Sequence, residues 1–82
     1  MIKVLFFAGL REQLACDSLD VDAEGVSTLG ELREALRNKG ETWRLALGND
    51  QLQMACNQQL SHAQAAVRDG DEVAFFPPVT GG

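Results

Sequence analysis

The chain has 82 residues, 45% of them hydrophobic and 23% charged, which allows one small globular domain and no second one. Seven basic and twelve acidic residues give a net charge of −5, which disfavours nucleic acid and anionic membrane surfaces as partners. A domain this small cannot easily enclose a deep active site as well as a core, so it is expected to present a surface or a tail to a partner.

Residues 2–8 form a dense run of β-branched, aromatic and aliphatic side chains. The run predicts a first strand buried on both faces, with Ile2, Val4, Phe6 and Ala8 on one side and Lys3, Leu5 and Phe7 on the other, ended by Gly9. Lys3 ahead of an apolar stretch has a formal likeness to a signal peptide. However, the stretch from 4 to 10 is at the short limit for that role, lacks a small-residue cleavage site and is far below a membrane span, so a cytoplasmic location is expected. Residues 10–15 predict a short helical turn. Residues 18–23 alternate Leu19, Val21 and Ala23 with Ser18, Asp20 and Asp22, the pattern of a half-exposed strand pairing with the first.

The clearest helix follows. Thr28 is a good N-cap, and Glu31 three residues later completes a capping box. Leu29, Leu32, Ala35 and Leu36 are expected to form its buried stripe, Arg33, Arg37 and Lys39 suit its C-terminal half, and Gly40 reads as its stop. Gly30 in the first turn reads as a flaw, costing about 1 kcal/mol against alanine. Residues 41–47 predict a second short helix carrying Trp43 and Leu47. Gly48-Asn49-Asp50 is turn chemistry, and 51–56 alternates as a third strand. Asn57-Gln58-Gln59 turns the chain into a very short strand at Leu60-Ser61. The segment 68–71 is another turn, and 72–76 is the last strand, stopped by Pro77 and Pro78.

The first and last strands are the most apolar and are expected side by side at the centre of a mixed sheet, with one main helix across it. This is an α+β, β-grasp (ubiquitin-like) arrangement, with a domain over 1–76 and a tail over 77–82. If Val73 and Phe75 face the helix, Ala74 and Phe76 face away, and Val4 and Phe6 inward leaves Leu5 and Phe7 outward. With Leu60 after an exposed turn, Phe7, Leu60 and Phe76 are expected to form an apolar partner site near the tail. The opposite parity, or cover by loops, stays open on the sequence alone.

Internal chemistry is hard to find. His62 stands without a cysteine or clustered carboxylates to complete a metal site. Asp20/Asp22 on a strand face and Asp69/Asp71 in a turn fit solvated carboxylates better than acid–base dyads. Cys16 and Cys56 form no C-x-x-C pair and read as reduced thiols, one at least in the core, although a disulfide fits the count. The tail Pro77-Pro78-Val79-Thr80-Gly81-Gly82 stands apart. At ordinary glycine usage, a terminal Gly-Gly arises by chance roughly once in two hundred chains. Pro77-Pro78 stiffens an extended exit, and two residues without side chains can thread a narrow channel. The terminal carboxylate on Gly82 is therefore the candidate reacting group, against the plainer reading of a frayed end.

Residues 1–8 (MIKVLFFA), Arg11-Glu12, the segment 43–47, Asn57 and above all residues 69–82 (DGDEVAFFPPVTGG) closely resemble the molybdopterin synthase small-subunit family. The likeness covers essentially the whole chain, is most specific in the last fourteen residues, and is looser over 25–53. It implies a β-grasp fold and a sulfur carrier. An activating partner uses ATP to adenylate the terminal glycine, and sulfur then replaces one oxygen to give a thiocarboxylate. The loaded tail enters the large synthase subunit and donates sulfur to cyclic pyranopterin monophosphate. The resemblance further implies a heterotetramer of two small and two large subunits, with the pterin-binding and acid–base groups on the large subunit and no cofactor held by this chain. Carried onto these residues, Gly82 reacts, Gly81 and Thr80 belong to the inserting tail, and Phe7, Leu60, Phe76, Pro77 and Pro78 form the docking region. A thiamine-type sulfur carrier, a ubiquitin-like modifier joined to lysines, and an interaction module with an inert tail remain alternatives.

Overall fold

The structure is a computed structural model and describes residues 1–78. In chain order it comprises β1 (Ile2–Phe6), α1 (Ala8–Leu14), β2 (Ser18–Val21), α2 (Leu29–Arg37), α3 (Glu41–Ala46), β3 (Gln53–Cys56), β4 (Gln59–Ser61) and β5 (Glu72–Phe76). The strands form one mixed sheet in the order β2-β1-β5-β3-β4. The central pair β1–β5 is parallel and the other three pairings are antiparallel. The most apolar strands thus sit at the centre, as their composition predicts, and the architecture is the expected β-grasp.

Alternation fixes which face is covered. Ile2, Val4, Phe6, Val73, Phe75 and Met54 are buried and share one core with Leu10 and Leu14 of α1, Leu29, Leu32 and Leu36 of α2, and Ala46 and Leu47 at the end of α3. Phe6 anchors this core: its ring stacks on Phe75 with centroids 6.2 Å apart and meets Trp43 edge-on at 5.6 Å. Such pairs add about 0.5–1.5 kcal/mol beyond the burial of their area. The α2 N-terminus carries the full capping box: Thr28 accepts from the Glu31 N–H at 3.1 Å, and the Glu31 carboxylate accepts from the Thr28 N–H at 3.1 Å. At the other end of the helix pair, Arg33 of α2 donates to the carbonyls of Leu47 at 2.6 Å and Asn49 at 2.8 Å. This guanidinium satisfies carbonyls left over beyond α3 and ties the two helices together.

Several expectations change. β1 is not buried on both faces: Lys3 is exposed and Leu5 half-buried, because all the packed helices share the core on the opposite side. It ends at Phe6, and Ala8 (φ +55) turns the chain into α1, so the apolar run feeds two elements. Ala35 is exposed, one step outside the Leu29–Leu32–Leu36 stripe. Gly40 does not stop α2, which ends on Asn38 with an ordinary φ of −79°; Gly40 is instead the N-cap of α3. Gly30 is not a flaw. A Cβ there would lie 3.1 Å from the Ala63 carbonyl oxygen, to which the Gly30 N–H donates at 2.9 Å. The glycine lets the 62–71 loop lie directly on the helix backbone.

Candidate functional site

The strand registers place the outward residues of four strands in one line. Leu5 pairs with Ala74, Ala74 with Ala55, and Ala55 with Leu60. All four point away from the core, because their strand neighbours Val4, Phe6, Val73, Phe75 and Met54 point into it. The next row toward the C-terminal end of β5 holds Phe76, paired with Gln53. Phe7 lies one step past the Phe6–Phe75 pair in extended conformation, its N–H donating to the Phe75 carbonyl at 3.3 Å. The row on the far side is charged: Asp20, Lys3 and Glu72 pair in sequence. The open face is therefore apolar at the end where the chain leaves the domain and charged at the other.

The predicted docking residues fall on or beside this face. Leu60 is 72% and Phe7 46% exposed, large values for apolar side chains, while Phe76, Pro77 and Pro78 are half-buried. Thus the parity left open by the sequence is the one with Leu5, Phe7, Ala74 and Phe76 outward. Large apolar side chains left this exposed at either side of one sheet face are the kind of surface that a partner covers. The predicted reacting residue Gly82, with Gly81, Thr80 and Val79, lies outside the described residues. β5 brings the chain to Pro77 and Pro78 at the apolar end of the sheet.

Asp71, expected as a solvated turn residue, is instead held in a hydrogen-bond network. Its carboxylate accepts from the Arg68 N–H at 2.8 Å and from the Asn57 side-chain amide at 3.1 Å, with the Cys56 thiol at 3.7 Å. The Asn57 bond, then the Arg68 N–H, hold the carboxyl below its ordinary pKa by favouring its charged form. Partial burial, followed by the neighbouring Asp71 charge, pushes the Cys56 thiol up. Asp69 pairs with the Met1 ammonium. Cys16 and Cys56 are both free and half-buried, packed against the edge of the core, and His62 is exposed, facing Gln64 at 3.2 Å. The only sequence sign of the Asp71 network was the Asp-Gly-Asp turn itself, whose far partner Asn57 no local pattern identifies.

Fold and site together define a β-grasp domain with one apolar face open beside the exit of its C-terminal segment. The ThiS family model matches residues 4–82. Curated relatives named molybdopterin synthase sulfur carrier subunit, from Escherichia coli and Haemophilus influenzae, are 48% and 46% identical over the full length of both chains. A solved complex of subunits 1 and 2 of the molybdopterin-converting factor from Helicobacter pylori contains a chain 29% identical, with a TM-score of 0.68, covering 99% of this chain and 97% of that one. The chain belongs to the ThiS family and, within it, to the molybdopterin synthase sulfur carrier subunits.

Proposed function

We propose that this chain carries sulfur for molybdenum cofactor synthesis on the carboxylate of Gly82. A free carboxylate is a poor electrophile, and transfer of an adenylyl group from ATP, with release of pyrophosphate, gives it AMP as a leaving group. A sulfide-level sulfur nucleophile attacks the acyl carbon, the bond to AMP breaks, and the thiocarboxylate forms. The loaded tail, through Thr80, Gly81 and Gly82, enters the large subunit of molybdopterin synthase and delivers its one sulfur to cyclic pyranopterin monophosphate; water takes up the acyl group and restores the carboxylate, and two such transfers build the dithiolene. The adenylating enzyme holds the ATP, and this chain binds no cofactor of its own. It acts in the cytoplasm within a heterotetramer of two small and two large subunits, without nucleic acid or membrane partners. Among the described residues, no helix is long and apolar enough to cross a membrane.

The observation that carries this reading is the apolar row Leu5–Ala74–Ala55–Leu60, flanked by Phe7 and Phe76, at the end of the sheet from which the tail departs. A partner seated there receives the tail directly. The full-length likeness to sulfur carrier subunits, and the solved complex of a related chain with its second subunit, support the identity of that partner. The test is reconstitution of the thiocarboxylated chain with the large subunit and cyclic pyranopterin monophosphate. Formation of the dithiolene is expected, and its absence with a chain shown by mass to be thiolated would reject the pterin role.

A further inference from the structure

Beyond the β3–β5 ladder, the turn of the β3–β4 hairpin that carries Leu60 is tied to β5 by Asn57. Asn57 and Gln58 both adopt left-handed backbone, at φ +52 and +69, the geometry of a two-residue hairpin turn. Asn57 tolerates this conformation better than most residues and uses it to turn its amide toward β5. Its backbone N–H donates to the Glu72 carbonyl at 2.7 Å, and its side-chain oxygen accepts from the Glu72 N–H at 3.0 Å. Asn57 thus adds one more rung to the β3–β5 ladder, past the Cys56–Val73 pair, with its side chain standing in for a backbone carbonyl. Its amide nitrogen then donates to Asp71, which also accepts the Arg68 N–H.

We infer that Asn57 and Asp71 are positioning residues for partner docking: they lock the β3–β4 hairpin to the start of β5 and so fix Leu60 relative to Phe76. Leu60 needs such a device. It lies on a three-residue edge strand, paired on one side only, and a side chain 72% exposed gains little fixed orientation from packing. Holding the hairpin before the partner arrives lowers the ordering cost of association. The inference rests on the docking face proposed above.

The test is a double-mutant cycle on affinity for the large subunit of molybdopterin synthase, with thermal unfolding measured in parallel. Asn57→Gly keeps the left-handed turn and removes both side-chain bonds. It is expected to weaken binding about tenfold, and to have almost no further effect in a Leu60→Ala background, because both changes act through one contact. Combining Asn57→Asp with Asp71→Asn exchanges donor and acceptor across the pair and is expected to restore binding to within about threefold of the parent. Additive effects of Asn57→Gly and Leu60→Ala, or unchanged affinity in Asn57→Gly, would overturn the inference while leaving the docking face intact. If Leu60→Ala itself binds normally, the docking face and the inference fall together.

Discussion

Leu5 and Leu60 stand in one row across the open face of the sheet, on strands three apart, with only the methyl groups of Ala74 and Ala55 between them. The two alanines make the middle of the row low and its ends high, so the face is a shallow apolar trough bounded by two leucines. Leaving such a surface in water costs about 25 cal/mol per Å² of apolar area, which is the drive for a partner to seat there.

The first consequence separates docking from folding. Leu60→Asp and Phe76→Asp are each expected to cost about 2 kcal/mol of affinity for the large subunit, roughly thirtyfold, with little change in melting temperature. Phe75→Ala, one residue from Phe76 but fully buried, is expected to cost about 3–5 kcal/mol of stability. Isothermal titration and urea unfolding on the same three proteins decide it. A large loss of stability in Phe76→Asp without loss of binding would place Phe76 in the core instead.

Gly30→Ala runs against ordinary helix propensity. Alanine usually gains about 1 kcal/mol over glycine within a helix. Here its Cβ meets the Ala63 backbone oxygen at 3.1 Å and the Ala63 Cβ at 3.3 Å, and the adjoining Gly30–Ala63 hydrogen bond restrains the loop from moving away. The variant is expected to melt below the parent. A rise in melting temperature would show that the 62–71 loop yields freely.

Removing the α2 cap has a plainer expected effect. Thr28→Ala leaves the Glu31 N–H without its side-chain acceptor and is expected to cost about 1 kcal/mol in urea unfolding. Because the docking residues lie on the opposite side of the sheet, affinity for the large subunit should be nearly unchanged.

Asp71 makes stability depend on acid pH. Its carboxyl is held below its ordinary pKa in the folded protein, chiefly by the Asn57 amide. The stabilisation is therefore fully present above the unfolded value and is lost as pH falls through the lower folded value. Asp71→Asn is expected to remove this part of the acid dependence, flattening the fall in melting temperature below the ordinary carboxylate range. Identical acid profiles for parent and variant would show that the carboxylate contributes nothing to folding. The same substitution removes the charge that helps to raise the Cys56 thiol, so Cys56 should alkylate faster at neutral pH.

Much of this arrangement was legible in the sequence because it is local. The last strand lies at residues 72–76 as its composition and the following prolines predict, and Thr28 with Glu31 announces the capping box found there. What the sequence left open depends on distant partners. Gly30 looks like a defect until Ala63 is laid against it, and Asp71 looks solvated until Asn57 is brought across from the β3–β4 turn. The apolar run at the N-terminus reads as one doubly buried strand because nothing local marks where Phe6 packs under the helices and Leu10 begins to serve α1. The choice between an outward and an inward Phe76 is likewise set by pairing with β1 and β3, not by its own neighbours.

The proposed working group is the carboxylate of Gly82. Intact mass of the chain after incubation with the adenylating enzyme, ATP and a sulfur donor tests it most directly, with a chain lacking Gly82 as control. Exchange of one oxygen for sulfur, mapped to Gly82, is expected, with no such exchange in the shortened chain, whose melting temperature should match the parent because a glycine has no side chain to bury. An unmodified full-length chain, sulfur found on Cys16 or Cys56 instead, or lysine conjugates in place of the exchange would contradict it.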